Sequence, residues 1–269
     1  MTRLPKRYFK SISDYVRTYY TAYGAQRAQK LYDAVKTVTE DFTRTDPVYV
    51  RIGEDGEPEI HCTMTQADGS SYFAGMDLGD ATLVMHSVSA ITSISSMFAY
   101  FSAKRIIGDV SIRLTSWNNP PFNGVSKFID MSELTIDLTG SSTINYMFGN
   151  LQNNVNLPQL KNIAASADNM FAFSWALTTI PNYDLTSVTS LNNAFADAKA
   201  ITAFHATGMK VSFDLSPTAL QHDAILEVFN NLGEVDATAG ITLTLGSDKL
   251  ALMSDDEKAI ATGKGWVLA

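Results

Sequence analysis

A phenylalanine returns at nearly constant spacing through the middle of this chain of 269 residues, and this repetition constrains the fold more than any other feature. The segments NYMFGN at 145–150 and DNMFAF at 168–173 spell almost the same letters 23 residues apart. From one ring to the next the intervals are 25, 24, 26, 23 and 24 residues, for Phe73, Phe98, Phe122, Phe148, Phe171 and Phe195. Periods of roughly 20–29 residues are typical of solenoids, in which each repeat forms one coil.

A large aromatic residue in every repeat has a physical reason in such a fold. One coil of about 24 residues is too thin to enclose a core of its own, so its ring must pack on the rings of the coils before and after it. We therefore predict that the six phenylalanines form the structural core of the repeat, as one continuous column of rings.

The residues between the rings predict one short strand per coil. LTIDL at 134–138 and LTTIPNYDL at 177–185 contain the alternating apolar residues of brief strands. TSVTSLNNAF at 186–195 is rich in side chains that bond to the backbone of tight turns. Because one strand per coil requires parallel pairing between coils, we predict an α/β fold with a solenoid of short parallel strands at residues 63–213.

Two neighbouring repeats carry a family resemblance. YDLTSVTSLNNAFADAKAITAF at 183–204 and SADNMFAFSWALTTI at 166–180 resemble the BspA-like, Treponema-type leucine-rich repeats, in which an Ala-Phe or Met-Phe pair follows a short turn. The resemblance extends over about residues 66–213 and departs most at Pro120 and Pro121, where two prolines replace the expected helical turn. It implies a leucine-rich-repeat solenoid that binds proteins or glycans rather than one that catalyses a reaction.

Residues 214–269 are predicted to form a C-terminal cap that covers the apolar end of the solenoid. Ser216 and Pro217 are typical of a helix start, with serine as the N-cap and proline at the first helical position. The helix would end at Gly233 and bury one apolar face, made of Leu220, Ala224, Ile225, Val228, Phe229 and Leu232.

The rest of the cap alternates strands and a helix. ITLTLG at 241–246 is predicted to be a strand, Ser254 and Glu257 form a capping box for a helix that stops at Gly263, and residues 265–268 form a last strand. The closing phrase SDDEKAIATGKGWVLA resembles the ends of leucine-rich-repeat proteins encoded by bacteriophages and gut bacteria.

Residues 1–62 are predicted to be a separate N-terminal helical module, followed near its end by an exposed turn at GEDGEP, 53–58. Apolar residues recur three and four apart, which indicates one or two amphipathic helices. One interpretation is a cap that packs on the first coil. The other is a docking or oligomerisation module, because aromatic residues are enriched in interface cores. The docking face would consist of Tyr15, Tyr19, Tyr23, Leu31 and Val35.

Composition and charge restrict the classes of partner that this chain is expected to bind. The net charge of −8 disfavours nucleic acid, and the chain has no run of 18 apolar residues, so we expect no membrane insertion. The first residues lack the apolar stretch of a secretory signal, and the single cysteine, Cys62, cannot form an internal disulfide. Seven charged side chains fall between Phe128 and Ala198, so neutral polar groups cover this stretch.

Catalytic, metal-binding and cofactor-binding motifs are not recognisable. The four histidines are far apart and have no metal-ligand spacing: His61, His86, His205 and His222. Asp137 and Asp184 occupy similar places in two repeats and could serve as the carboxylate pair of a glycoside hydrolase, although a structural role in the repeat is the simpler interpretation. NLQNNVN at 150–156 is either a ridge that contacts glycans or the polar outer edge of a coil.

These observations favour a non-enzymatic bacteriophage virion protein, a tail, fibre or capsid-attached component assembled in the host cytoplasm. Its solenoid would bind a host-surface protein or glycan, or a neighbouring virion protein, in a homo-oligomer or other multicopy assembly, without a cofactor. A bacterial cell-surface leucine-rich-repeat adhesin is the alternative, and a tail-spike-like glycan hydrolase is the third hypothesis.

Overall fold

The computed structural model describes residues 48–116, 119–125, 128–153 and 155–269. Within them the fold is mixed α/β, with many short strands and few helices. The strands are β1 (Val48–Ile52), β2 (Pro58–Met64), β3 (Thr82–Ser87), β4 (Arg105–Ser111), β5 (Ile129–Asp130), β6 (Leu134–Asp137), β7 (Val155–Asn156), β8 (Gln159–Lys161), β9 (Thr179–Ile180), β10 (Ala203–Phe204), β11 (Phe213–Asp214), β12 (Thr242–Thr244) and β13 (Val267–Leu268). The helices are α1 (His222–Asn231), α2 (Ser247–Leu250) and α3 (Asp255–Gly263), and Ala237–Ala239 form a 3-10 turn.

Parallel pairing dominates the larger sheet. β1 and β2 form an antiparallel hairpin across the turn at 53–58, and the order then continues in parallel from β2 to β3 and β4. β4 pairs with both β5 and β6, which pair in turn with β7 and β8. Residues that face each other in this parallel series are 23–26 apart, as in Glu59 with Thr82 and Gly108 with Leu134. The sequence separation of paired residues in neighbouring strands is therefore the same as the spacing of the phenylalanines.

The predicted boundary after residue 62 differs from the structure. Residues 48–62, assigned to the N-terminal helical module, form β1 and most of β2. Six residues of β2 pair with β3, from Glu59 to Met64, so this segment belongs to the strand series. Local periodicity did not reveal the pairing of β2 with β3 because the paired residues are 23 positions apart in the chain. The predicted docking face lies outside the described residues.

The core consists of one side of these strands and the rings that pack beneath them. In β2 the side chains of Ile60, Cys62 and Met64 point inward and are fully buried. The six phenylalanines are all at most 5 % exposed. Close packing in such a core makes each removed methylene costly, so these positions tolerate little change.

The rings of successive repeats stack with nearly parallel planes. The five centroid distances from Phe73 through Phe98, Phe122, Phe148 and Phe171 to Phe195 are 5.3, 4.9, 6.0, 5.8 and 5.5 Å, with interplanar angles of at most 25°. Such distances lie in the favourable range for aromatic pairs. The column continues beyond the six predicted rings, since the Phe213 ring lies 6.5 Å from Phe195 and Trp266 packs edge-on against Phe213 at 5.6 Å.

Helix α1 begins five residues later than predicted. Ser216 and Pro217 form a turn instead, in which the Ser216 N–H donates to the Asp214 carboxylate at 2.7 Å. The Ala219 N–H then donates to the carbonyl of Ile201, in the preceding repeat, at 2.9 Å. This bond to a distant residue occupies an N–H of the predicted first helical turn, and the helix starts only after Gln221.

The other local signals of this region are confirmed. Ser254 and Glu257 form the predicted capping box, and α3 ends at Gly263. β12 falls inside the predicted strand at 241–246, and β13 lies inside the predicted last strand. β11, β12 and β13 form a parallel three-stranded sheet. Capping boxes are readable from sequence because all their bonds lie within four residues.

Each residue of the closing KGW motif, Lys264, Gly265 and Trp266, has a structural role. The Lys264 ammonium donates to the carbonyls of Phe229, Asn230 and Leu232 at 3.1, 2.6 and 3.0 Å, which terminates α1. Gly265 has φ +90°, and a Cβ there would lie 2.2 Å from the carbonyl oxygen of Val235. The Trp266 indole donates to Gly233 at 2.8 Å.

Replacing Lys264 by methionine is expected to lower the free energy of unfolding by about 2 kcal/mol, because hydrogen bonds to a charged group contribute roughly 1.5–3 kcal/mol and the carbonyls lose their partner. Urea melts would measure the change. Lys199→Met is the matched control, since Lys199 is exposed and its ion pair is with the exposed Asp197. We expect that control to change stability by less than about 0.5 kcal/mol. Equal losses in the two variants would show that Lys264 does not hold α1.

Candidate binding surfaces

Asp137 and Asp184, the candidate carboxylate pair, each stabilise a turn. The Asp137 carboxylate accepts from the N–H and hydroxyl of Thr139 at 3.0 and 2.7 Å and from the Asn162 amide at 2.8 Å. Asp184 accepts from the N–H of Thr186 at 3.0 Å. Other aspartates accept the same bond from the N–H two residues ahead, among them Asp130, Asp214 and Asp236. The recurrence supports a structural role for both residues.

The electrostatics of these two carboxyl groups suit an ionised state. The hydrogen bond from the Asn162 amide, followed by those from Thr139, holds the pKa of Asp137 below its ordinary value. The side chain and backbone of Thr186 lower the pKa of Asp184 in the same way. Glycoside hydrolases need one carboxylic acid whose pKa is raised so that it can protonate the leaving group. The environment of neither residue provides this shift.

Three of the four histidines lie in separate environments. His61 stacks on Tyr49 at 4.5 Å and bonds to Glu59 at 2.8 Å, and burial lowers its pKa. His205 contacts Glu227 at 2.7 Å. His222 bonds to Asp223 at 2.8 Å and to Glu257 at 2.9 Å, which raises its pKa. Among the described residues, no group of three or more His, Cys, Asp or Glu side chains could hold a metal ion.

Three asparagine side chains of NLQNNVN bond to the preceding repeat. The Asn150 amide donates to Asn123, and the Asn153 amide donates to the carbonyl of Val125 at 2.9 Å. The Asn156 amide donates to Asp130 at 3.1 Å. These amides join adjacent repeats along the outer edge, which favours the interpretation of this segment as a polar edge.

Three exposed aromatic side chains were not singled out from the sequence: Tyr100, Phe173 and Trp175, with 69, 39 and 54 % exposure. Tyr100 and Phe173 each stand two residues after a core phenylalanine, where the backbone is left-handed with φ 57° and 60°. Glycine occupies this place at Gly75 and Gly124. Left-handed backbone is unfavourable for bulky residues by roughly 1–2 kcal/mol. Because Tyr100 and Phe173 are exposed despite this unfavourable backbone, the surface around them is a candidate contact surface.

A groove of about 580 Å³ opens between two successive repeats on the strand side of the molecule. One wall is the segment 155–161, which contains β7 and β8, and the other is the segment 178–183, which contains β9. The Tyr183 hydroxyl donates to the carbonyl of Pro158 at 2.8 Å and joins the two walls. Burial raises the pKa of Tyr183, so the hydroxyl keeps its proton. The volume is within the usual range for ligand sites.

Comparison with protein-family models, curated proteins and solved structures finds no match to this chain. In the part of the chain that the structure describes, no helix has the length and apolar character needed to cross a membrane.

Proposed function

We propose that this chain is a leucine-rich-repeat solenoid, similar to the BspA-like repeats, and that it acts by binding rather than by catalysis. The observation that carries the proposal is the column of six stacked rings, together with strand register at the same 23–26-residue spacing. Repeats whose rings pack on the rings of neighbouring repeats stack into a long surface made of similar units. Such surfaces are used for recognition.

The proposed setting is a bacteriophage particle, with the protein as a tail, fibre or capsid-attached component present in several copies. The resemblance of the closing phrase to the ends of phage-encoded leucine-rich-repeat proteins supports this setting. In this proposed setting, the N-terminal residues dock on the particle through the predicted docking face. The solenoid then contacts a host surface or a neighbouring virion protein.

The surface chemistry supports binding through shape and neutral hydrogen bonds. The stretch from Phe128 to Ala198 has few charged side chains, and several of its aspartates are engaged in turns. Tyr100 and Phe173 provide exposed rings at equivalent positions of two repeats, and Trp175 is exposed two residues after Phe173. Rings of this kind combine large contact area with few rotatable bonds, so they lose little entropy on binding.

Locating the protein in its source tests the setting. We expect quantitative mass spectrometry of purified particles to find the chain at a fixed copy number, and electron cryomicroscopy to place it on the particle exterior. A Tyr15→Glu/Leu31→Glu variant is expected to be lost from particles, whereas Tyr100→Ala is expected to assemble normally. Detection on a bacterial cell surface and absence from particles would reject the virion role and favour the adhesin.

A further inference from the structure

The strand ladder is interrupted at one place in the repeat series. β7 and β8 pair with the strands of the preceding repeat, β5 and β6, and β9 pairs with the following strand, β10. β8 and β9 do not pair with each other, nor do β7 and β9. On another side of the same repeats the contact continues, because Ser166 bridges to both Thr143 and Ser190. The repeats are therefore in contact at one side and open at the strand side.

Two prolines give a physical reason for the interruption. Pro158 separates β7 from β8, and Pro181 directly follows β9. Proline has no N–H to donate to a ladder, and it restricts the residue before it. The carbonyl of Pro158 is instead bonded to the Tyr183 hydroxyl. This side-chain bond replaces backbone pairing between the two repeats and leaves the groove above it.

Both walls of the groove present strand edges that pair with no other described strand on the groove side. The Lys161 carbonyl accepts from Leu138, on the β6 side, so the alternation of a parallel ladder directs the N–H and C=O of Leu160 away from β6 and towards the groove. On the opposite wall, the Ile180 carbonyl accepts from His205, on the β10 side. By the same alternation the backbone groups of Thr179 are directed towards the groove.

The lining of the groove includes one cationic side chain. Lys161 is the charged side chain among its lining residues, and it is exposed at the end of β8. The apolar part of the lining includes Val155, Leu157 and Pro181. A complementary ligand would have backbone-like donors and acceptors along both edges, apolar contact area, and a negative charge at one end.

We propose that this groove binds an extended peptide with an acidic side chain, which adds as a strand between β8 and β9 and places its carboxylate beside Lys161. Edge pairing provides the affinity, because the peptide satisfies the backbone groups of Leu160 on one side and of Thr179 on the other. This inference goes beyond the proposed function, since it needs only the groove and no position in a particle.

The test uses the full-length protein and a short acetylated peptide of alternating valine and threonine with one glutamate. We expect saturable binding by fluorescence anisotropy and at least about tenfold slower hydrogen exchange of the Leu160 and Thr179 amides, as protection by new backbone pairing requires. Lys161→Glu should weaken binding by about fivefold, which corresponds to an exposed ion pair of about 1 kcal/mol. Lys199→Glu makes the same charge change away from the groove and should leave the affinity within about twofold.

A second peptide separates strand pairing from other modes of binding. The same sequence with alternate N-methyl groups cannot donate along one edge, and we expect its affinity to fall by at least about tenfold. Equal binding of the two peptides, unchanged exchange at Leu160 and Thr179, or no saturation at millimolar peptide would overturn the proposal. Protection of these amides by a neutral maltooligosaccharide, without an effect of the peptide, would also overturn it and assign the groove to glycans.

Discussion

Replacing Phe171 by alanine is expected to lower the free energy of unfolding by about 3–5 kcal/mol, the usual loss for a buried aromatic side chain. The ring is 1 % exposed and stacks on Phe148 at 5.8 Å and on Phe195 at 5.5 Å. Its removal deletes contacts with the repeats on both sides and leaves a cavity between them. Guanidinium chloride melts followed by circular dichroism would measure the loss.

Phe173→Ala is the matched control, because it removes the same ring two residues later in the same repeat. That ring is 39 % exposed, and its backbone φ is 60°. We expect the control to change stability by less than about 1 kcal/mol. A Phe171→Ala loss below about 1 kcal/mol, or no larger than that of the control, would contradict the idea that stacked rings hold the repeats together.

Replacing Gly108 by alanine is expected to cost about 2–5 kcal/mol, as the sum of roughly 1–2 for left-handed backbone and 1–3 for overpacking. Gly108 has φ +115°, and its Cβ would lie 2.1 Å from the carbonyl oxygen of Met85. Met85 is its partner in the β3–β4 ladder. Because the clash is with backbone, a side-chain rotation cannot relieve it, and the strands must separate.

Gly75→Ala isolates the first contribution, that of the left-handed backbone. Gly75 also has positive φ, at +75°, but a Cβ there would meet no atom within 4 Å. We expect this variant to lose about 1–2 kcal/mol, from backbone conformation alone. Thermal melts of the two variants should therefore differ. Equal losses would mean that the close approach of β3 and β4 does not require glycine.

The parts of the fold that were predictable from the sequence are those that depend on residues close together in the chain or on regular repetition. The capping box of Ser254 and Glu257 was predictable because its bonds span three residues. The parallel pairing was predictable because a period of 23–26 residues that carries one short strand leaves few other arrangements. The family resemblance, the virion setting and the docking face at residues 1–62 remain predictions.

The sites were less predictable than the repeats. Asp137 and Asp184 were recognised as equivalent positions, but their hydrogen bonds and lowered pKa values appeared only with the structure. Phe171 and Phe173 are the same residue type two positions apart, and one is buried while the other is exposed. The later start of α1 depends on Ile201, which lies in an earlier repeat.

By itself, the sequence of this protein determined the period, the kind of side chain at each ring position, and the caps of its last helix, since these follow from local chemistry repeated along the chain. Only the tertiary structure decided where the ladder stops. The groove exists because β8 and β9 fail to pair while the Tyr183 hydroxyl reaches Pro158. Such a gap depends on how two repeats are placed relative to each other, so the sequence of either repeat alone does not predict it.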